Sequence, residues 1–123
     1  MSHALWLPVA FLALACTQTP PTVAQGNTAA LPVVAKQADL AKEVARGKVV
    51  YSEEKCQACH SIDGVGNRRN PLDGVADKLS SADIRRWIIA PREMNPRVTK
   101  RAYKLPAEDL DALVAYLQQL RKK

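Results

Sequence analysis

Five consecutive residues carry the reactive chemistry of this chain: Cys56-Gln57-Ala58-Cys59-His60. Two thiols at this spacing can each add across one vinyl group of a porphyrin. The imidazole directly behind them then lies beneath the iron as its fifth ligand. The pattern is that of c-type haem attachment. The same C-x-x-C spacing also serves zinc half-sites and dithiol redox sites. A structural zinc needs two further Cys or His ligands; outside the motif the sequence holds only Cys16 and His3, both near the N-terminus. A dithiol redox site wants a βαβ setting, and no segment alternates with period two long enough to supply strands. The residues therefore read as one haem, attached through Cys56 and Cys59, with His60 on the iron.

The elements that must position this motif are few. The chain has 123 residues, enough for one domain, with 18 Lys and Arg against 12 Asp and Glu and a net charge of +6. None of these charged residues precedes Lys36, so the charged, foldable part is 36–123. Only Tyr51, Trp87, Tyr103 and Tyr116 are aromatic within it. That is a thin supply of bulk for a small core, and a porphyrin would make up the difference. A two-domain enzyme and a disulfide-dense scaffold are both excluded.

Ahead of that domain, Ala4 to Ala15 is almost wholly apolar. A helix of that length reaches only ~18 Å, against the roughly 30 Å of a bilayer core. It reads as a signal peptide over 1–15. Ala13-Leu14-Ala15 followed by Cys16 resembles a bacterial lipoprotein signal, in which Cys16 is lipidated and becomes the new N-terminus. Lipidation, plain secretion and an uncleaved anchor all stay open, and the first two export the domain to the bacterial periplasm. Residues 16–35, with Pro20, Pro21 and Pro32 among uncharged small residues, read as a flexible tether.

Three helices follow from apolar spacing. Leu40, Val44, Gly47 and Tyr51 share one face of a helix starting near Asp39. Ser80, with Asp83 three positions on, caps a second helix whose buried face is Ile84, Trp87 and Ile88 and which Pro91 stops. Pro106 opens a third, acidic at its start, with Leu110, Leu113, Val114, Leu117 and Leu120 as its stripe. The fold class is all-α.

From Asp39 to Leu120 the chain resembles a class I, mitochondrial-type cytochrome c. The resemblance is carried by the haem motif, by Gly47-Lys48-Val49-Val50-Tyr51 ahead of it and by Glu108-Asp109-Leu110 through Tyr116-Leu117 at the end. It implies a cytochrome c fold of three main helices around one haem, with the first and last helices crossing where Gly47 meets Tyr116. It further implies that the carbonyl of Pro71, in Asn70-Pro71-Leu72, accepts the N–H of the His60 ring. Trp87, Ile88, Leu72 and Leu105 are the candidates to line the porphyrin.

The sixth iron ligand departs from the family. By elimination a thioether must come from Met94, the one Met of the domain. Matching Pro91 and Pro96 to the family's two loop prolines instead places the ligand at Lys100, or at Arg101 with a shift of one. An arginine does not deprotonate and is set aside. Met94, Lys100 and a water or empty site stay open.

No nucleophile stands beside a base, and no phosphate loop is present. The implied activity is therefore electron transfer, not enzyme catalysis. Two alternatives stand beside it: a cytochrome subunit of a dehydrogenase complex, and a gas sensor with a labile sixth ligand. Between Arg85 and Lys104 seven basic residues face one acid, Glu93. In the family this stretch runs beside the haem edge, where it would steer a redox protein with an acidic docking face. Nucleic acid is not an expected partner, and a membrane is expected only through a lipid on Cys16.

Overall fold

The computed structural model describes residues 31–122. The signal segment 1–15, Cys16 and the tether as far as residue 30 lie outside the described residues. Helix α1 runs Leu31–Glu53, α2 Ser81–Ile89, α3 Pro91–Met94 and α4 Ala107–Leu117. Short 3₁₀ turns at Cys56–Ala58 and Val75–Asp77 and a two-stranded hairpin lie between α1 and α2.

α1 is longer than the apolar spacing indicates, and it takes in residues 31–35 of the expected tether. Ala, Lys, Gln and Glu between Val34 and Glu43 favour helix without needing a buried face. Residues 33–43 are indeed exposed throughout. Leu40, expected on the covered face, is 46% exposed. Coverage begins at Val44, because Arg46 already meets the first turn of α4: its guanidinium lies 2.8 Å from the Asp109 carboxylate.

The crossing of α1 and α4 is the main packing event. A Cβ on Gly47 would run into the backbone carbonyl of Ala112 and come within 2.7 Å of Tyr116 Cβ. Only a hydrogen at this position lets the two backbones approach so closely. One helical turn on, Tyr51 and Tyr116 meet edge to face with ring centroids 6.0 Å apart. Val50, Tyr51, Leu110, Leu113, Val114 and Leu117 join Ile84 and Ile88 of α2 in one buried cluster. The segment after α4 is fastened back, with the Lys122 amide donating to Asp77 at 2.7 Å and Arg121 pairing with the same carboxylate.

Ser80 caps α2 as expected, accepting from the Asp83 amide at 3.1 Å. The reciprocal bond differs from a capping box, since the Ser80 hydroxyl donates to the Asp83 carboxylate at 2.6 Å. Pro91 does end α2, but it also starts α3, where its missing N–H costs nothing.

The all-α framework holds, with one addition. β1 (Ser61–Ile62) and β2 (Val65–Gly66) pair antiparallel. They are joined by Asp63-Gly64, both at positive φ (49° and 77°), the pattern of a type I′ turn. Strands of two residues leave no alternation to read, but the Asp-Gly pair was a usable signal.

Candidate functional site

Lys55 follows α1 in the left-handed conformation, φ 54°, and breaks the helix one residue before the motif. The chain then winds tightly. The Cys56 carbonyl accepts the amides of both Cys59 and His60, at 3.1 and 2.9 Å. This winding brings both sulfurs and the imidazole to the wall of one cleft of about 770 Å³.

A frame of amides holds the turn from behind. The Asn67 amide donates to the carbonyls of Gln57 and His60 at 3.1 and 3.0 Å. Its side chain reaches the Ala58 carbonyl at 3.3 Å, and Asn70 Nδ2 reaches that of Cys59 at 3.2 Å. These two asparagines were not singled out from sequence. Their short amide side chains in a loop rich in Gly and Arg gave the only hint.

The acceptor for the imidazole is corrected by one residue. His60 Nδ1 lies 3.1 Å from the carbonyl oxygen of Asn70, not that of Pro71. Ser61 explains the choice, since its amide also donates to Asn70 O while its carbonyl accepts from Leu72. That bridge turns the intervening Pro71 carbonyl away. A carbonyl can only accept, so Nδ1 carries the proton and Nε2 keeps a lone pair. Burial, opposed by the Asn70 bond and aided by the charge of Lys100, lowers the His60 pKa and favours the neutral ring.

The cleft wall is mostly apolar, with Leu72, Trp87 and Ile88 placed as expected. Leu105 is not in the wall; it packs on the core cluster instead. Tyr51 does line the cleft, and its hydroxyl is buried with no hydrogen-bond partner. Burial pushes its pKa up to about 12, so it stays a neutral donor. Burial likewise raises the Cys56 thiol.

Residues 97–101 also line the cleft. Lys100 reaches in, with Nζ 3.4 Å from the Trp87 carbonyl oxygen and 5.4 Å from the Tyr103 ring centroid. Burial lowers its pKa, the thiols of Cys56 and Cys59 acting the other way. Met94 closes α3 and is not among the lining residues. The basic stretch is also thinner than its sequence indicates, because Arg85 pairs with Asp111 and Arg86 with Glu93. Arg92, Arg97, Arg101 and Lys104 enter no ion pair among the described residues.

These residues fit a haem. The cleft volume falls within the roughly 300–1,000 Å³ of ligand pockets. Two thiols and an imidazole with a free Nε2 stand on one wall, and an orphaned buried hydroxyl signals a missing neighbour. The zinc alternative loses its support, since no three His, Cys, Asp or Glu among the described residues converge on a metal position.

Comparison with known proteins agrees. The sequence model of the family described as cytochrome c matches residues 44–121. The cytochrome c oxidase subunit 2 of Alkalihalophilus pseudofirmus is 29% identical over 86 residues, covering 62% of this chain and 25% of that protein. The chain thus spans about a quarter of the length of the relative it matches. No solved structure matches. With the family matched across the whole stretch from the α1–α4 crossing to the end of α4, the chain belongs to the cytochrome c family and carries covalently attached haem c.

Proposed function

We propose that the protein is a single-haem electron carrier whose porphyrin is bonded through Cys56 and Cys59 and whose proximal ligand is His60 Nε2. The observation that carries this reading is the His60–Asn70 bond, which fixes the ring tautomer while the adjacent winding turns both thiols to the same cleft. When bound, the haem supplies one reversible electron, ferric to ferrous. The chain's own residues do the rest. The Asn70 carbonyl holds the imidazole proton at Nδ1 and makes Nε2 more basic. Leu72, Trp87 and Ile88 exclude water, and Tyr51 offers a donor within the wall. The test is a one-electron redox titration combined with the haem absorption of both oxidation states. Irreversible or multi-electron behaviour would refute the carrier.

Arg97 and Arg101 line the cleft and, like Lys104 a few residues on, enter no ion pair among the described residues, which supports an acidic redox partner. Replacing Arg101 and Lys104 by Glu should slow reduction by an anionic reagent about tenfold at low salt, leaving a neutral reagent unaffected. Equal slowing of both reagents would point to a disturbed haem instead of lost steering.

The oxidase relative favours a second reading, in which the domain works docked to a larger redox complex. Co-purification with a membrane oxidase or dehydrogenase would mark that case. For location, the apolar run from Ala4 to Ala15 and Ala13-Leu14-Ala15-Cys16 support export to the periplasm with a lipid on Cys16. No described helix is long and apolar enough to cross a membrane. Cys16→Ser should move the haem protein from the membrane fraction to the soluble one. Unchanged fractionation would remove the lipid.

A further inference from the structure

We propose that the amine of Lys100 is the second axial ligand of the haem iron. The inference rests on the haem reading above and extends it to the distal side. The ligand found by elimination, Met94, is outside the cleft lining. It is held in a turn anchored by the fully buried Pro91 and closed by a 3.0 Å bond from the Asn95 amide to the Pro91 carbonyl.

Lys100 is already where Met94 is not. It shares the cleft with His60, Cys56 and Cys59. No carboxylate pairs with it among the described residues. Its nitrogen is instead held against the Trp87 carbonyl and beside the Tyr103 ring. A cation drawn inward with no counter-charge is poorly solvated, whereas a neutral amine there has a lone pair to give. Ligation breaks one Nζ–H bond, releases the proton to water at the cleft mouth and forms one dative N–Fe bond. No electron is transferred in that step. The Trp87 carbonyl can still accept one of the two remaining N–H groups and so orient the lone pair. Arg101, next in the chain, has no such option.

The experiment uses the full-length holoprotein in four forms: wild type, Lys100→Ala, Met94→Ala and Lys100→Met. The readouts are the long-wavelength sulfur-to-iron band of the ferric state and the rate of carbon monoxide binding to the ferrous state. Wild type should lack the band, and Met94→Ala should match wild type in both. Lys100→Ala should bind carbon monoxide at least about tenfold faster, because the sixth position is then open. Lys100→Met should gain the band and a higher reduction potential, a gain that a merely unfolded variant cannot show. A band in wild type that Met94→Ala abolishes would overturn the proposal in favour of Met94. A wild type that binds carbon monoxide as fast as Lys100→Ala would overturn it in favour of an open site. If acid acetone strips the haem from wild type, the attachment reading itself has failed, and that outcome is distinguishable from the other two.

Discussion

Replacing both Cys56 and Cys59 by alanine should leave no haem on the chain after acid–acetone extraction, whereas the unaltered protein should keep all of it. Each sulfur can form one thioether, so either single variant should retain haem through one bond and mature in lower yield. The effect should reach beyond the cofactor. The cleft of about 770 Å³ adjoins the cluster of Ile84, Ile88, Leu113 and Leu117, and the porphyrin would cover the apolar wall that the cleft presents. At about 25 cal/mol per Å² of apolar surface, a few hundred Å² exposed would cost several kcal/mol, comparable to the whole stability of a small domain. The double variant should therefore show reduced helical circular dichroism as well as no haem absorbance. Full retention of haem in the double variant would end the c-type assignment.

The second large effect is expected at Gly47. By helix propensity alone, Gly47→Ala in the middle of α1 should stabilise by about 1 kcal/mol. The crossing reverses that sign. The new methyl would meet the Ala112 carbonyl, which is backbone and cannot rotate away, as well as Tyr116 Cβ at 2.7 Å. Separating the helices to relieve it would loosen the Tyr51–Tyr116 contact and the Arg46–Asp109 pair. A net loss of roughly 2–3 kcal/mol is expected, and Gly47→Val should do worse. Guanidinium unfolding followed by haem absorbance measures it. A variant as stable as the parent would show that the helices do not approach so closely.

Where chemistry or a repeating apolar spacing marked the sequence, the structure was legible in it. The haem motif, the Ser80 cap and the stripe of α4 needed no tertiary information, and the Gly47–Tyr116 crossing followed from the family resemblance. What escaped was set by the course of the backbone. Asn70 and Pro71 offer adjacent carbonyls, and which one faces His60 is decided by how Ser61 bridges the loop. The early part of α1 buries nothing, so apolar spacing could not mark its start and placed Leu40 on the covered face although it is exposed. On the distal side, counting methionines and aligning prolines gave different residues, because neither method shows which side chain enters the cleft.

The meeting of α1 with α4 also sets an order of events in time. Arg46 and Asp109 are 63 positions apart, and closing a loop of that length costs roughly 3–4 kcal/mol of chain entropy before any contact repays it. When the chain is delivered N-terminus first, whether in synthesis or in export, Cys59 arrives 58 residues ahead of Leu117. During that interval the fold cannot close, and both thiols remain on an open, unhindered strand of polypeptide. The topology thus provides a kinetic window in which the porphyrin can be bonded first and enclosed afterwards, with the last helix acting as the latch.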